Sequence, residues 1–318
     1  MILFVDRFGE LVNRRQRSLL RKNPDAVPIF LCPIINYING SLRPYESQIE
    51  ISVTLMTTFL ISDIHLNKVQ REIVETFLSF LNDGIRNTDM VYILGDLFDL
   101  WLGDDDARFP HLPVMDALRK ATKRGVLISV LHGNHDFLLG KRFEKITGCR
   151  LLPDPSVIDL YGKRVLITHG DILCTDDTSY QKYRNRIHNS LYQRVFLSLP
   201  MKRRIIKAAS VQNVSKEAVR NKPVHVMDVN KNAVERIMLT YGVQYMVHGH
   251  THRSAIHEVS LKGETVVRIV LGDWYKKDAK TILVWEKDTF RLGTVTRAVQ
   301  FYKTPLRASR LSKHRALS

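Results

Sequence analysis

What the chain lacks narrows it first. It has only three cysteines, Cys32, Cys149 and Cys174, far apart and odd in number. That excludes a disulfide framework and any zinc site built on a CxxC pair, and it fits a reducing cytoplasm. Long apolar runs are missing as well. The longest near the start, "VPIFLCPIINYI", contains Pro33, falls short of the roughly 20 residues a membrane span requires and begins too far along for a secretory signal, so no transmembrane segment is expected. Acidic residues are in deficit, since 48 Lys and Arg against 32 Asp and Glu leave a net charge of +16. The excess is local. Residues 176–225 hold eleven Lys and Arg against three Asp and Glu, and residues 297–318 hold six against none. The remainder is close to neutral, unlike a protein that tracks nucleic acid with a whole face, so a local anionic partner is expected and nucleic acid is not.

What is present is a chain of 318 residues with 44% hydrophobic content, enough for one large α/β domain with an insertion or for two domains. The first 55 residues show no steady period and contain the turn-forming pieces "NPD", "CP", "NG" and "RPY". They are expected to be peripheral. At Met56 the pattern changes: "MTTFLISDIHL" is a short apolar run ending in charged residues, as a buried parallel strand would. In "VQREIVETFLSFLNDGI", Val69, Ile73, Val74, Phe77, Leu78 and Leu81 recur at helical intervals. "DMVYILGDLFDLW" then returns to a strand, which implies a parallel βαβ unit. The alternation continues through the helical "LPVMDALRKATKRG" and the strands "VLISVLHGNHD", "RVLITHGD" and "VQYMVHGHTH".

Each polar cluster follows an apolar strand: Asp63 and His65; Asp96 and Asp99; Asn134, His135 and Asp136; His169 and Asp171; His250 and His252. In open α/β sheets ligands bind outside the carboxyl ends of the strands, so these clusters are expected to converge there. The histidines at 248, 250 and 252 have the two-residue period of a strand, and read alone they are either surface histidines at a strand end or side chains aimed at one point. Carboxylates and an amide mixed with imidazoles, and no thiolate, suit Mn²⁺, Fe²⁺ or Zn²⁺ in a hydrolytic site. Seven such side chains exceed the needs of one ion. Two ions about 3.5 to 4 Å apart that share a carboxylate can acidify a water and clamp the oxygens of an in-line phosphoryl displacement. The spacing therefore points to a dinuclear phosphoesterase.

The ordered set "DIHL", "GDLFD", "GNHD", "THGD" and "GHTH" resembles the calcineurin-like metallophosphoesterases. The resemblance implies an α/β fold, an αββα sandwich of mixed sheets. It also implies that Asp63, His65 and His252 hold one ion, that Asn134, His169 and His250 hold a second, and that Asp96 bridges them, with Mn²⁺ the expected metal. His248 matches no ligand position and is expected to be structural or to orient a neighbour. Within that superfamily, "YILGDLFDLWLGDDD", "NHDFLLGKRF", "HGDILCTDD", "VSKEAV", "VMDVN" and "VHGHTHRSAIHE" resemble the UDP-2,3-diacylglucosamine pyrophosphatase family of the lipid A pathway, over residues 58–302. That likeness implies cleavage of a UDP-linked diacylated glucosamine to UMP and the sugar 1-phosphate at the cytoplasmic face of a Gram-negative inner membrane. It puts Asn134, His135, Asp177, Ser215, Lys222 and His250 against the substrate, and Asp96, Asn134 and His135 in catalysis. One position departs: the family has arginine where this chain has His135, an exchange of a fixed charge for a group that can be neutral.

The basic stretch supports a lipid substrate separately. In "YRNRIHNSLYQRVFLSLPMKRRIIKAAS", Tyr183, Ile187, Leu191, Val195 and Leu199 recur every fourth residue, and Pro200 suits the first turn of another helix. A helical hairpin over about residues 178–222 is expected, with one apolar face that serves as a lid, as an interfacial surface above anionic lipid, or as both. Other readings are a nuclease or another phosphodiesterase of the same fold, for which basic residues should alternate with aromatic platforms, and a metal-free binding scaffold. The expected organisation is an extension at 1–55, a catalytic domain at 56–302 and a basic tail at 303–318. Because the core pattern starts at Met56, a protein beginning there should fold and keep its activity. Melting temperature and turnover of residues 56–318 against the full chain test this, and a large loss in either would mean that the extension packs on the domain.

Overall fold

The computed structural model describes residues 57–85, 89–220, 228–275 and 280–295, with main chain alone for 213–220. The N-terminal extension, the C-terminal tail, Lys222 and the side chain of Ser215 lie outside the described residues.

Two sheets face each other. One is ordered β11-β10-β1-β2-β3-β4, from β1 (Thr58–Ile61), β2 (Met90–Leu94), β3 (Leu127–Leu131), β4 (Arg150–Leu152), β10 (Thr281–Glu286) and β11 (Thr289–Thr294). Strands β1 to β4 run parallel, and β10 and β11 add antiparallel pairs at the edge. The second is ordered β5-β6-β7-β9-β8, from β5 (Ser156–Leu160), β6 (Lys163–Thr168), β7 (Tyr245–His248), β8 (Ala255–Leu261) and β9 (Glu264–Val270). Its centre, β6-β7-β9, is parallel.

The side-chain period of two sorts residues between layers. Phe59 and Ile61 pack with Val91, Ile93, Ile128 and Val130 against helices α1 (Arg71–Asp83) and α2 (His111–Lys123), and Phe143 of the short helix α3 (Lys141–Thr147) joins them. Leu60 points the other way. It meets Val165, Ile167, Val247, Ile269 and Trp285 between the sheets. Leu166 and Met246, one residue out of phase with that set, pack instead on Val234 and Met238 of the last helix (Lys231–Tyr241). The layers are helix, sheet, sheet, helix, as expected. The central strands β1, β2, β6 and β7 are largely buried on two faces, which explains their near-continuous apolar runs, whereas edge strands β8 and β11 alternate with exposed residues.

The segment expected to be a helical hairpin contains three helices: α4 (Thr178–Ile187), α5 (Ser190–Leu197) and α6 (Met201–Arg220), so that Lys231–Tyr241 is α7. The four-residue spacing suggested one continuous first helix. Asn189 breaks it, with extended backbone and an Oδ1 that accepts from the amides of Leu191 and Tyr192. This cap rotates α5 relative to α4. Ile187 is buried as expected, but Leu191 is 66% and Val195 59% exposed, so the five-residue apolar face does not exist as one surface. Val69, counted in the first helical pattern, precedes α1 and is exposed. Among the described residues no helix is long and apolar enough to cross a membrane.

Candidate metal centre

Parallel strands β1, β2, β3, β6 and β7 end at the same rim, and the polar clusters follow them directly. The loops after β1 and β2 remain paired beyond the sheet, through the amide of Asp63 on Gly95 O, His65 on Asp96 O, Leu66 on Leu97 O, and Asp99 on Leu66 O. The amide of His250 donates to Asp63 Oδ2 at 3.0 Å and that of His135 to Asp96 Oδ1 at 2.9 Å. Each carboxylate is thus aimed by an amide from another strand's loop. Gly133 allows the closest of these approaches, since a Cβ there would stand 2.1 Å from Asp96 Oδ1 and 2.4 Å from its amide nitrogen.

Seven non-glycine residues among those described have positive φ, and five of them are Asp63, Asp96, His65, His250 and His252, at 50° to 68°. Left-handed backbone costs about 1 kcal/mol or more in such residues and persists where surrounding structure enforces it, often at functional sites. It also corrects the strand interpretation of the histidine triplet. Strand β7 ends at His248, and His250 and His252 reach the rim from a tight left-handed turn. The one histidine in the strand, His248, is fully buried, with Nδ1 against Gly249 O and Nε2 receiving the Arg268 guanidinium at 3.2 Å. Its role is structural.

The side chains converge closely. His65 Nε2 lies 3.5 Å from Asp96 Oδ2 and 3.9 Å from Asp63 Oδ1. His252 Nε2 lies 3.2 Å from Asp63 Oδ1, and His169 Nε2 lies 3.6 Å from Asp96 Oδ2 and 3.0 Å from Asn134 Oδ1. The His250 ring stands 5.0 Å from that of His169. Ligand atoms of Asp63, His65 and His252 fall within 4.8 Å of one another, and so do those of Asp63, Asp96 and His169. Both ring nitrogens of His65 are buried with no hydrogen-bond partner, and Asp63 Oδ1, equally buried, meets the His252 ring at 3.2 Å. Buried polar atoms are ordinarily satisfied, and orphans of this chemistry in a carboxylate–imidazole cluster fit divalent cations.

Charge within the cluster is divided unequally. Burial opposes ionisation of Asp63, but its hydrogen bond to His252 and the charges of His169, His252 and His65 hold it far below the usual carboxylate range. Burial lifts Asp96 to about 6, against the pull of His169 and His135. Burial also works against protonation of His169 and His252. Asp96, Asp63 and Asp171 nevertheless raise His169 to about 9, and the hydrogen bonds to Asp273 and Asp63 raise His252 to about 10. His65 and His250 are pushed down, by burial and then by the charge of His135 and His169 respectively, His250 to about 4. Burial thus favours the neutral form of His65 and His250, while the carboxylates favour a proton on His169 and His252 that either ring would have to release to take a cation.

Several supporting roles went unread in the sequence, although Asp136 and Asp171 stood among its polar clusters. Asp273, after β9, accepts His252 Nδ1 at 3.2 Å and leaves Nε2 to face Asp63. Leu94 O does the same for His169 Nδ1 at 2.9 Å. Asp136 takes the amides of Asp96 and Gly133 on Oδ1 and those of Leu97 and Phe98 on Oδ2. Asp171 accepts Tyr180 Oη and Arg184 Nε, and Tyr180 in turn lies 5.8 Å from the His250 ring. Tyr275 lies 5.1 Å from the ring of His65. Of the expected substrate contacts, Asp177 caps α4 by accepting the Tyr180 amide, and Ser215 lies on α6.

His135 is half-exposed beside this cluster. Its Nδ1 lies 2.7 Å from Asp99 O and its ring 4.7 Å from His65. Burial works against its protonation, but Asp96, the Asp99 carbonyl, Asp99 and Asp136 raise its pKa above the ordinary value. Next to it opens a cavity of about 510 Å³, lined by Trp101, Leu102, Asn134, His135 and Phe137 on the body and by Tyr183, Ile187, Tyr192, Phe196 and Val211 on the helices. A cavity of about 570 Å³ at the opposite ends of β6 and β7, around Lys163, Arg164 and Tyr245, contains none of the candidate residues.

The profile of the calcineurin-like phosphoesterase family matches residues 56–254. A protein of Serratia proteamaculans (strain 568) named UDP-2,3-diacylglucosamine hydrolase is 45% identical over 220 residues, 69% of this chain and 92% of its own length. A protein of the same name from Yersinia pseudotuberculosis serotype O:1b (strain IP 31758) is 46% identical over the same shares. Among solved structures, an archaeal phosphodiesterase aligns over 74% of this chain and 98% of its own at 14% identity and a TM-score of 0.39.

The geometry makes Asp136 a test of the site's construction. Asp136→Asn retains one acceptor oxygen and turns an NH₂ toward two of the four amides, and each buried donor left unsatisfied costs about 1 to 3 kcal/mol. The expected outcome is a clearly lower melting temperature together with reduced metal content, although Asp136 is itself not a candidate ligand. An unchanged melting curve would mean that other contacts hold the two loops.

Proposed function

The chain belongs to the calcineurin-like phosphoesterase family, and from that premise we propose that it hydrolyses the pyrophosphate of UDP-2,3-diacylglucosamine to UMP and 2,3-diacylglucosamine 1-phosphate, within lipid A synthesis. The observation that carries the substrate is the apolar cavity, whose wall includes Asn134 and His135. One cavity thus joins the candidate metal centre to a surface suited to acyl chains. The names of the two relatives support the same substrate.

In this reading Asp63, His65 and His252 hold one divalent ion, Asn134, His169 and His250 a second, and Asp96 both; Mn²⁺ is our choice for its fit to mixed oxygen and imidazole donors. Such ions, when bound, supply Lewis acidity and a more acidic water. The remaining work belongs to the chain. Asp273 and Leu94 O fix the orientation of His252 and His169, as carboxylates and carbonyls do behind metal-bound imidazoles. Asn134 and His135 meet the phosphate, and Tyr183, Ile187, Tyr192, Phe196 and Val211 take the acyl chains. We assign Leu191 and Val195, exposed on α5 with Ile206 exposed on α6, to the surface of the cytoplasmic leaflet of the inner membrane. Ser215 and Lys222 remain candidate substrate contacts, as does Asp177.

Product analysis tests the reading. The enzyme should release UMP from UDP-2,3-diacylglucosamine, and Phe196→Ser with Tyr192→Ser should lose most of that turnover while sparing bis-p-nitrophenyl phosphate. Apolar burial at about 25 cal/mol per Å² would be lost without touching the metals. Cleavage of single-stranded DNA in preference to the lipid would favour the nuclease alternative, and protein purified without chelators that holds no metal would favour the scaffold.

His135 carries a second prediction. Its Nδ1 is engaged by Asp99 O, so it meets the phosphate through Nε2. Asp96, Asp99 and Asp136 favour its protonated form, the form that resembles the arginine of the similar family. His135→Arg should keep substantial activity. His135→Ala should lose roughly a hundred- to ten-thousand-fold in rate with metals still bound, the usual range for a group that assists a leaving oxygen. An alanine variant with the wild-type rate would make His135 a bystander.

A further inference from the structure

We propose that Arg204, through Asp105, is a positioning residue that sets the distance between the two walls of the apolar cavity, and so governs recognition of the acyl chains without acting in bond cleavage. The proposal rests on the substrate reading above.

Arg204 sits in the first turn of α6 and is 4% exposed, the one buried arginine among the described residues. Four hydrogen bonds engage its guanidinium. Nη1 donates to Asp105 Oδ1 at 2.7 Å and to Leu102 O at 2.6 Å, Nη2 donates to Asp105 Oδ2, and Nε donates to Leu199 O at 2.9 Å. One planar group thus grips a carboxylate, a body carbonyl and a carbonyl at the α5–α6 junction, a use that suits arginine's fork and not lysine's single nitrogen.

The placement of these partners gives the grip its function. Leu100, Trp101 and Leu102 form the body wall of the cavity, while Lys207, Ala208 and Val211 follow Arg204 along α6 on the other wall. Arg204 and Asp105 themselves do not line the cavity. Gly103 leaves room for the junction: its φ is 128°, and a Cβ there would lie 2.6 Å from Arg204 Nη1 and 2.8 Å from Leu197 Cδ2. The acidic run Asp104–Asp106 accordingly serves three separate fastenings. Asp104 caps α3 through the amides of Arg142 and Phe143, Asp105 holds Arg204, and Asp106 holds Arg108.

The experiment compares two substrates on the full chain. Arg204→Met should raise KM for UDP-2,3-diacylglucosamine about tenfold or more, with kcat/KM on bis-p-nitrophenyl phosphate within about twofold of wild type. Arg204→Lys should recover only part of the loss. Asp105→Asn, the milder change, should move in the same direction, and combining it with Arg204→Met should add little, because both remove one interaction. Acrylamide quenching of tryptophan should rise in Arg204→Met and not when Trp101→Phe is added, since Trp101 is buried on the body wall. An unchanged KM for the lipid in both single variants, or equal losses on both substrates with metal content intact, would overturn the proposal. If the wild type spares the acylated substrate, the reading of the activity fails, and the quenching still decides whether Arg204 holds the walls together.

Discussion

Asp136 places one carboxylate under four main-chain amides, each oxygen accepting from two, and those amides belong to the loops after β2 and β3. A carboxylate that collects several N–H groups fixes the backbone that carries them. Here that backbone presents Asp96, Asn134 and His135. The constraint spreads from there, because Asp96 in turn accepts the amide of His135 and the loop after β2 pairs with the loop after β1 that carries Asp63 and His65. The left-handed conformations of Asp63, His65 and Asp96 follow from this pairing. A strand that simply ended in solvent would not hold them.

Such rigidity matters because the cluster is electrostatically unfavourable by itself. Asp63 is buried beside the rings of His65 and His252 and Asp96 beside those of His65 and His169, and burial works against the charge of both. In a pliable protein the side chains would turn outward to water. Main-chain amides and outer carboxylates prevent that turning, so that Asp63 Oδ1 stays 3.9 Å from the unpartnered Nε2 of His65. Cations are the partners that relieve this arrangement.

Legibility of the site in the sequence had a physical basis and a physical limit. Aspartates, histidines and an asparagine directly after apolar strands were readable because parallel strands share a rim, and the chemistry there depends on residue type. The fold followed from the same alternation. Asp273 and Asp136 were not readable as supports, since their partners are a ring nitrogen and amides brought near only by folding. The histidine triplet was misread in geometry: period two is a strand signal, but His250 and His252 use left-handed backbone that no spacing announces. The helical hairpin failed similarly. A four-residue apolar spacing persisted across residues 183–199, while Asn189 offered a cap that the pattern did not weigh, and Leu191 and Val195 were turned outward.

The local positive charge also changes meaning once its partners are known. Residues 176–225 looked like a patch awaiting an anion, yet Arg184 is spent on the buried Asp171, and Arg204, itself buried, on the half-exposed Asp105. These two arginines fasten the helices to the body at separate points. One sits beside the loop of His169, the other below the body wall of the cavity. The exposed basic residues, among them Lys182, Arg194, Lys202 and Arg203, are what remains for an anionic surface, and exposed aliphatic side chains at 191, 195 and 206 stand among them. Basic composition here thus serves two purposes that a charge count cannot separate. Buried Arg204 ties α6 to the segment that forms the body wall of the cavity, and solvated basic residues face outward from the same helices, so one cavity borders both the metal-binding rim and the helices while each rests on different fastenings.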